Sequence, residues 1–324
     1  MNKFTKVGLS ALAGSLVAFS AHAGSLSASG SASLTFSNGD DTSLTHEGNQ
    51  WTMGDSVTFT GSGEMDNGMT ISVSYELDGD AADTGNEFDS HSMTLDTNGM
   101  GTITFAGHGG SSAMSAIDDV TPNAYEESWA VVTGGAGATG APTLVDGLSG
   151  NNMFTYKSPD LGGVTITAAY LNASDAITDV SYMDFAVAAD IAAVEGLSVG
   201  FGMAETEETM GTVIDDSTMY AKYTYGSVTI GYQVSESDGP TSATDIDFKA
   251  AGITYAITDD FTVGYSTSES DKASDSDVQE ATAIGASYTS GGITIGGSMN
   301  SIDNVGFDAS ADRDGYEFNI AFAF

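Results

Sequence analysis

The sequence predicts an all-β chain that closes as a transmembrane antiparallel barrel of 16 strands, and three features lead there. Segments of about ten residues alternate between apolar and small polar side chains, the period of a strand with one face in hydrocarbon and one in water. The last of them, Tyr316-Glu317-Phe318-Asn319-Ile320-Ala321-Phe322-Ala323-Phe324, alternates strictly and stops on an aromatic side chain suited to a bilayer interface. Between the N-terminus and that strand no apolar run reaches the length of a spanning helix.

The N-terminal residues are read separately. Lys3 and Lys6 precede an apolar run over 7–19 and the small-residue pattern Ala21-His22-Ala23, which predicts a secretory signal peptide over 1–23 and a mature chain over 24–324. Such a run makes a helix of about 20 Å against a hydrocarbon core of about 30 Å, too short to anchor the chain. An exported chain with amphipathic strands and no spanning helix is then either a soluble β protein or a membrane barrel.

Cysteine is absent, so the fold must stand without disulfides in an oxidising compartment. There are 41 glycines against four prolines, which suits long strands with small inward side chains and tight turns. Beyond the leader only Lys157, Lys222, Lys249, Lys272 and Arg313 oppose 45 acids, a balance that excludes nucleic acid as a partner. Two readings of the acidity stand side by side: adaptation to a salty medium, where screening is strong, and an electronegative pore.

The strands follow in order. The first covers 25–36, with Leu26, Ala28, Ala32, Leu34 and Phe36 against Ser and Thr. Seven hairpins come next: 56–65 with 69–78, 90–97 with 101–108, 151–158 with 163–173, 180–192 with 197–206, 216–225 with 227–236, 245–257 with 261–269, and 278–289 with 292–300. The final strand brings the count to 16, an even number that lets the first pair with the last and leaves no open edge. Short turns alternate with longer connections at 37–55, 79–89, 206–215 and 270–277. Near Gly252 the apolar phase passes from Ile246, Phe248 and Ala250 to Ile253, Tyr255 and Ile257, which predicts a bulge.

The longest connection, 110–150, carries Asp118, Asp119, Glu126, Glu127, Trp129 and Asp146, then Gly134-Gly135-Ala136-Gly137. A loop of this length is usually functional. Assigning the apolar phase to lipid leaves a lumen of Ser, Thr and Gly with Glu64, Glu76, Asp96, His108, Lys157, Asp184, Lys222, Lys249 and Glu317 among the inward residues. Sixteen strands are wide enough to leave an aqueous channel.

Taken together, the leader, the strand count, the long third external loop and the terminal Phe resemble the Gram-negative general porin family, most similar to its alphaproteobacterial (Rhodobacter-like) members. Phe59-Thr60-Gly61-Ser62-Gly63-Glu64-Met65-Asp66-Asn67-Gly68 and Asn152-Met153-Phe154-Thr155-Tyr156-Lys157-Ser158-Pro159 resemble the family's second- and sixth-strand regions. Tyr316, Phe318, Ile320, Phe322 and Phe324 resemble the C-terminal recognition signal of outer-membrane barrels, which implies the barrel assembly machinery as a partner. The resemblance also implies export through the periplasm to the outer membrane, contact with its lipid and lipopolysaccharide, and a homotrimer in which loop 110–150 folds into each pore. Passive diffusion of ions and small hydrophilic solutes is the function it implies. In that family, acids of the third loop face a cluster of arginine and lysine on the wall, whereas the first five predicted strands here contain neither. The expectation is a cation-selective pore, with mild selectivity as the alternative if the acids are spread and screened.

Asp118, Asp119, Glu126 and Glu127 have the oxygen chemistry of a calcium site but not EF-hand spacing, and solvated charge is the default. Gly54-Asp55-Ser56 and His108-Gly109-Gly110 are similar to pieces of esterase sites, yet the strand-to-helix elbow is missing, so no catalytic residues are expected. Paired histidines and cysteines that would hold zinc are absent. A substrate-specific channel would use aromatic or arginine tracks, to which Trp129 alone is suited. A soluble acidic β protein remains the alternative outside the membrane.

Overall fold

The computed structural model describes residues 24–41, 48–78, 88–130, 145–173, 180–208 and 211–324, so the segment 1–23, expected to be a leader, and the glycine stretch at 134–137 lie outside the described residues. Its strands are β1 (Leu26–Asp41), β2 (Gly48–Glu64), β3 (Thr70–Asp78), β4 (Ser90–Asp96), β5 (Thr102–His108), β6 (Gly110–Ser111), β7 (Ser149–Gly150), β8 (Met153–Lys157) and β9 (Val164–Leu171). They continue as β10 (Ser181–Asp190), β11 (Leu197–Glu208), β12 (Thr212–Tyr225), β13 (Val228–Asp238), β14 (Ile246–Ala256), β15 (Phe261–Lys272), β16 (Gln279–Ser290), β17 (Ile293–Asp303) and β18 (Arg313–Ala323). All but β6 and β7 close into one antiparallel barrel of 16 strands.

Closure follows from the alternation. Leu34 and Phe36 of β1 face Ile320 and Phe318 of β18 on the outside, while Thr35 and Asn319 pair within, joined at 2.7 Å through Asn319 Nδ2 and Thr35 Oγ1. The outer face keeps large apolar side chains exposed, such as Ile284 at 64% and Met299 at 68%, as a wall solvated by lipid requires. Turns on the short-loop side use residues that tolerate positive φ, for example Asn98 (57°) and Gly99 (107°) between β4 and β5.

Strands run beyond the apolar alternation where the predicted connections began. β1 continues to Asp41 and β2 starts at Gly48, so the ladder extends through Gly39 and Gly48 across the predicted 37–55 loop. The same holds for β11 to Glu208 and β15 to Lys272. On β11 and β15 the backbone ladder persists beyond the last apolar side chain, so side-chain alternation does not mark those ends, whereas on β2 Trp51 and Met53 continue the outer apolar face opposite Phe36 and Leu34.

Gly252 is not a bulge. The β13–β14 register runs unbroken through Gly231 and Gly252, and Ile246, Phe248 and Ala250 face inward. Their apolar side chains have protein to pack against inside the barrel, so the greasy face is the inner one there. The register shift lies instead between His91 and Ser92, opposite Gly107.

Candidate pore constriction

Two short strands, β6 and β7, pair at the base of the long connection between β5 and β8. From there residues 112–130 lie against the inward side chains of β10 to β18: the contacts pass round the wall from β10 to β18 as far as Tyr125 and then turn back to β14 at Trp129.

The first contact is Asp184 on β10, 3% exposed. Its carboxylate accepts the Met114 N–H at 2.6 Å, the Ala169 N–H at 2.9 Å and the Tyr182 hydroxyl at 3.0 Å. Three donors compensate the loss of water that would otherwise forbid a carboxylate in such a place. Met114 opens a 3-10 turn, Met114–Ala116, that packs with Val145, Tyr182, Ala204 and Phe248. Asp118 then ties the two arms of the loop together, accepting the Gly147 N–H at 2.5 Å.

Gln233 on β13 is the second anchor. Its Oε1 accepts the Val120 N–H at 3.2 Å, and its Nε2 donates to the Asp118 carbonyl and to Thr218 Oγ1. The loop crosses a track of inward glycines on β11, β13, β14, β15 and β17. A Cβ on Gly202 would lie 2.7 Å from Ile117 Cδ1, on Gly231 2.4 Å from Pro122 Cδ, and on Gly252 2.1 Å from the Pro122 carbonyl oxygen. On Gly264 it would lie 3.0 Å from the Ala124 nitrogen, and on Gly296 2.2 Å from Tyr125 Cδ2. The groove that seats the loop is thus made of missing side chains.

The far end is held by polar contacts and one ring. Tyr125 donates its hydroxyl to Glu317 on β18. Asn300 Nδ2 donates to the Glu127 carbonyl at 2.7 Å, and the Ser128 and Ser268 hydroxyls meet at 3.0 Å. Trp129 sets its ring edge-on to Phe248, centroids 5.4 Å apart. It is used in packing, not presented as part of an aromatic track.

The loop gathers charge in a partly dry place. Burial pushes the Asp119 carboxyl up to about 7, helped by the Glu127 carboxylate beside it. Glu126 is raised to about 7 by burial, then by Glu127 and Glu317. Burial, with Asp118 and Asp216 near, carries Asp146 to about 6. Asp118 is raised by burial against the pull of the Gly147 N–H, and the Tyr125 phenol by burial and its bond to Glu317. Among the described residues no group of three or more His, Cys, Asp or Glu side chains is placed to hold a metal ion.

The remaining inward residues are distributed. Glu64, Glu76 and Asp96 share the inward phase of β2 to β4 with Ser and Thr, and Glu76 accepts the Ser90 hydroxyl at 2.9 Å. Lys157 lies on the inward phase at the end of β8, and Lys222 borders a hollow of about 440 Å³ with Asp119 and Pro122. Asp184 and Glu317 hold the loop and are not free lining.

Two assignments are corrected. Lys249 pairs with Val234 and Glu269 on the exposed outer phase of β14, because the inner phase is the apolar one there. His108 stands opposite His91, ring centroids 6.4 Å apart, because the register shift at Gly107 moves it to the phase of His91, which pairs with the outward Tyr75. Gln233, Asn300, Tyr125 and the glycine track were not singled out from sequence. The track becomes visible only when hairpin register is written out and inward glycines are seen to fall on neighbouring strands.

A sixteen-strand antiparallel barrel with a lipid-facing apolar wall, a hydroxyl-lined interior and one loop bound to its inner wall defines an outer-membrane diffusion channel. The family model for Gram-negative porins matches residues 8–283, and the chain belongs to that family, whose members are channels of the outer membrane and not enzymes. No curated protein sequence matches it. Among solved structures, the anion-selective porin from Comamonas acidovorans superposes with a TM-score of 0.70 at 16% identity, over 93% of this chain and 99% of that one. OmpT of Vibrio cholerae gives 0.66 at 13%, over 94% and 99%, and a triple mutant of the Rhodopseudomonas blastica porin gives 0.64 at 19%, over 93% and 100%. At these identities the likeness is one of fold.

Proposed function

We propose that the channel passes small hydrophilic solutes by passive diffusion and prefers cations, with loop residues 112–130 as its constriction. One observation carries this reading: the loop gathers Asp118, Asp119, Glu126, Glu127 and Asp146 on the inner wall of β10 to β18, while the inward phase of β1 to β5 is mostly Ser and Thr with Glu64, Glu76 and Asp96 and contains no Lys or Arg. Carboxylates in a narrow throat of reduced dielectric concentrate cations and repel anions. Lys222 beside Asp119 softens the field locally without reversing it. The anion preference of the Comamonas protein belongs to side chains that a 16% identity does not carry over.

Within this reading residues 1–23 are the export leader, and Tyr316, Phe318, Ile320, Phe322 and Phe324 are the signal read by the assembly machinery. The chain assembles as a homotrimer among outer-membrane lipid and lipopolysaccharide, as suits a family with trimeric relatives such as the trimer form of V. cholerae OmpT. The test is the reversal potential of the purified mature protein in a planar bilayer under a potassium chloride gradient. Cation preference is expected; anion preference would overturn the selectivity, and absence of stepwise conductance would overturn the open channel.

A further inference from the structure

We infer that the outer wall carries a binding furrow for an acyl lipid whose headgroup bears an ammonium, a site separate from the pore and independent of its selectivity. Directly opposed outward residues on neighbouring strands form rows across the wall. One row passes through Phe154, Tyr170, Met183, Glu205, Asp215 and Asp238, each facing the next. The adjacent row passes through Tyr156, Ala168, Phe185, Met203, Ser217 and Glu236 in the same way. A cavity of about 920 Å³ lies along them, bordered by wall residues alone and by none of the loop residues 112–130. Six strands at their usual spacing give it a length of about 24 Å, the scale of one lipid chain with its head.

Its chemistry changes along its length. At the β8 to β10 end the outward side chains are aromatic and aliphatic, with Ala168 leaving the floor open, while Thr155, Ala169 and Asp184 border it from the inward phase. The β11 to β13 end is acidic, and there Glu205, Asp215 and Asp238 stand directly opposite one another, exposed, an arrangement that repels itself unless a cation sits against it. The chain supplies no base to that row: Lys249, the only Lys or Arg on the outer phase of a described strand, faces Val234 and Glu269. Nor do three carboxylates converge on a metal position among the described residues. An apolar trough that ends in unneutralised carboxylates complements an amphiphile with a cationic head and disfavours an anionic one.

The experiment is native mass spectrometry of the folded protein in detergent, with dimyristoyl phosphatidylethanolamine and dimyristoyl phosphatidylglycerol as probes of identical chains. We expect the ethanolamine lipid to be retained several-fold more. The triple variant Glu205→Gln, Asp215→Asn, Asp238→Asn should abolish that preference while chain binding persists, and Ala168→Phe should lower retention of both lipids by filling the floor. The charge variants are exposed and carry the test alone if Ala168→Phe fails to fold. Equal retention of the two lipids, a glycerol preference with or without calcium, or a preference that survives the triple variant would overturn the proposal. So would a disulfide between copies through Met183→Cys, which would show that a second chain covers this face.

Discussion

A single methyl group placed on Gly252 tests whether the glycine track seats the loop. The added Cβ would lie 2.1 Å from the Pro122 carbonyl oxygen and 3.0 and 3.1 Å from the carbonyl carbon and nitrogen of that residue, all backbone atoms that no rotamer change can remove. A carbon–oxygen contact settles at about 3.3 Å, so Pro122 must retreat by about 1.2 Å, away from β14 and into the lumen. A shift of that size opens the 3.2 Å bond between the Val120 N–H and Gln233, two residues away. Overpacking of this kind costs about 1–3 kcal/mol, a shift of about 5- to 150-fold from seated to unseated loop. Single-channel recording should show a lower mean conductance with added open-state noise, and proteases should cut within 112–130 faster than in the parent. Gly63→Ala is the control, since its Cβ meets nothing within 4 Å. If Gly252→Ala conducts quietly at the parental level and resists proteolysis as well as the control, the loop is not seated by these glycines.

Acidification should weaken cation preference between about pH 8 and 5, because Asp119 and Glu126 take up protons near 7 and Asp146 near 6; reversal potentials across that range check it. The linked stability has a definite sign: these folded carboxyls hold protons that the unfolded chain has already released, so loop seating is strongest at low pH and weakens as pH rises from about 4 to about 7, measurable as loop proteolysis against pH. Asp184→Ala leaves two backbone N–H groups and the Tyr182 hydroxyl without their acceptor and should cost about 2–4 kcal/mol, read as a lower urea midpoint for loss of the folded state. Trp129→Ala removes the ring packed on Phe248 and should destabilise loop seating by about 2–3 kcal/mol, visible as faster cleavage in 112–130 with the barrel intact.

The barrel was legible because a period of two is a strong signal wherever one face meets lipid, and all sixteen strands were found near their observed places. What alternation cannot say is which face is inside. At Phe248 both faces of β14 meet apolar matter, lipid without and the loop within, so alternation alone predicts Lys249 in the lumen and a bulge at Gly252 that the register does not contain. At Gly107 the opposite failure occurred: a true register shift sits in a short strand whose apolar phase does not change, and His108 followed the wrong parity. The acids of the loop were visible as composition, but the groove beneath them was not. A glycine that accommodates a neighbour leaves the same letter as one that merely thins a wall.

Loop 112–130 touches the inner surface of β10 to β18, and among the described residues β1 to β4 have no such support. Mechanically nine of the cylinder's sixteen strands are then strutted and four form a free panel. Lateral pressure from the surrounding bilayer should flatten the free panel first, changing the open area while the charged strut keeps its position on the stiff side. Such a channel would respond to membrane tension in how much it conducts far more than in what it admits.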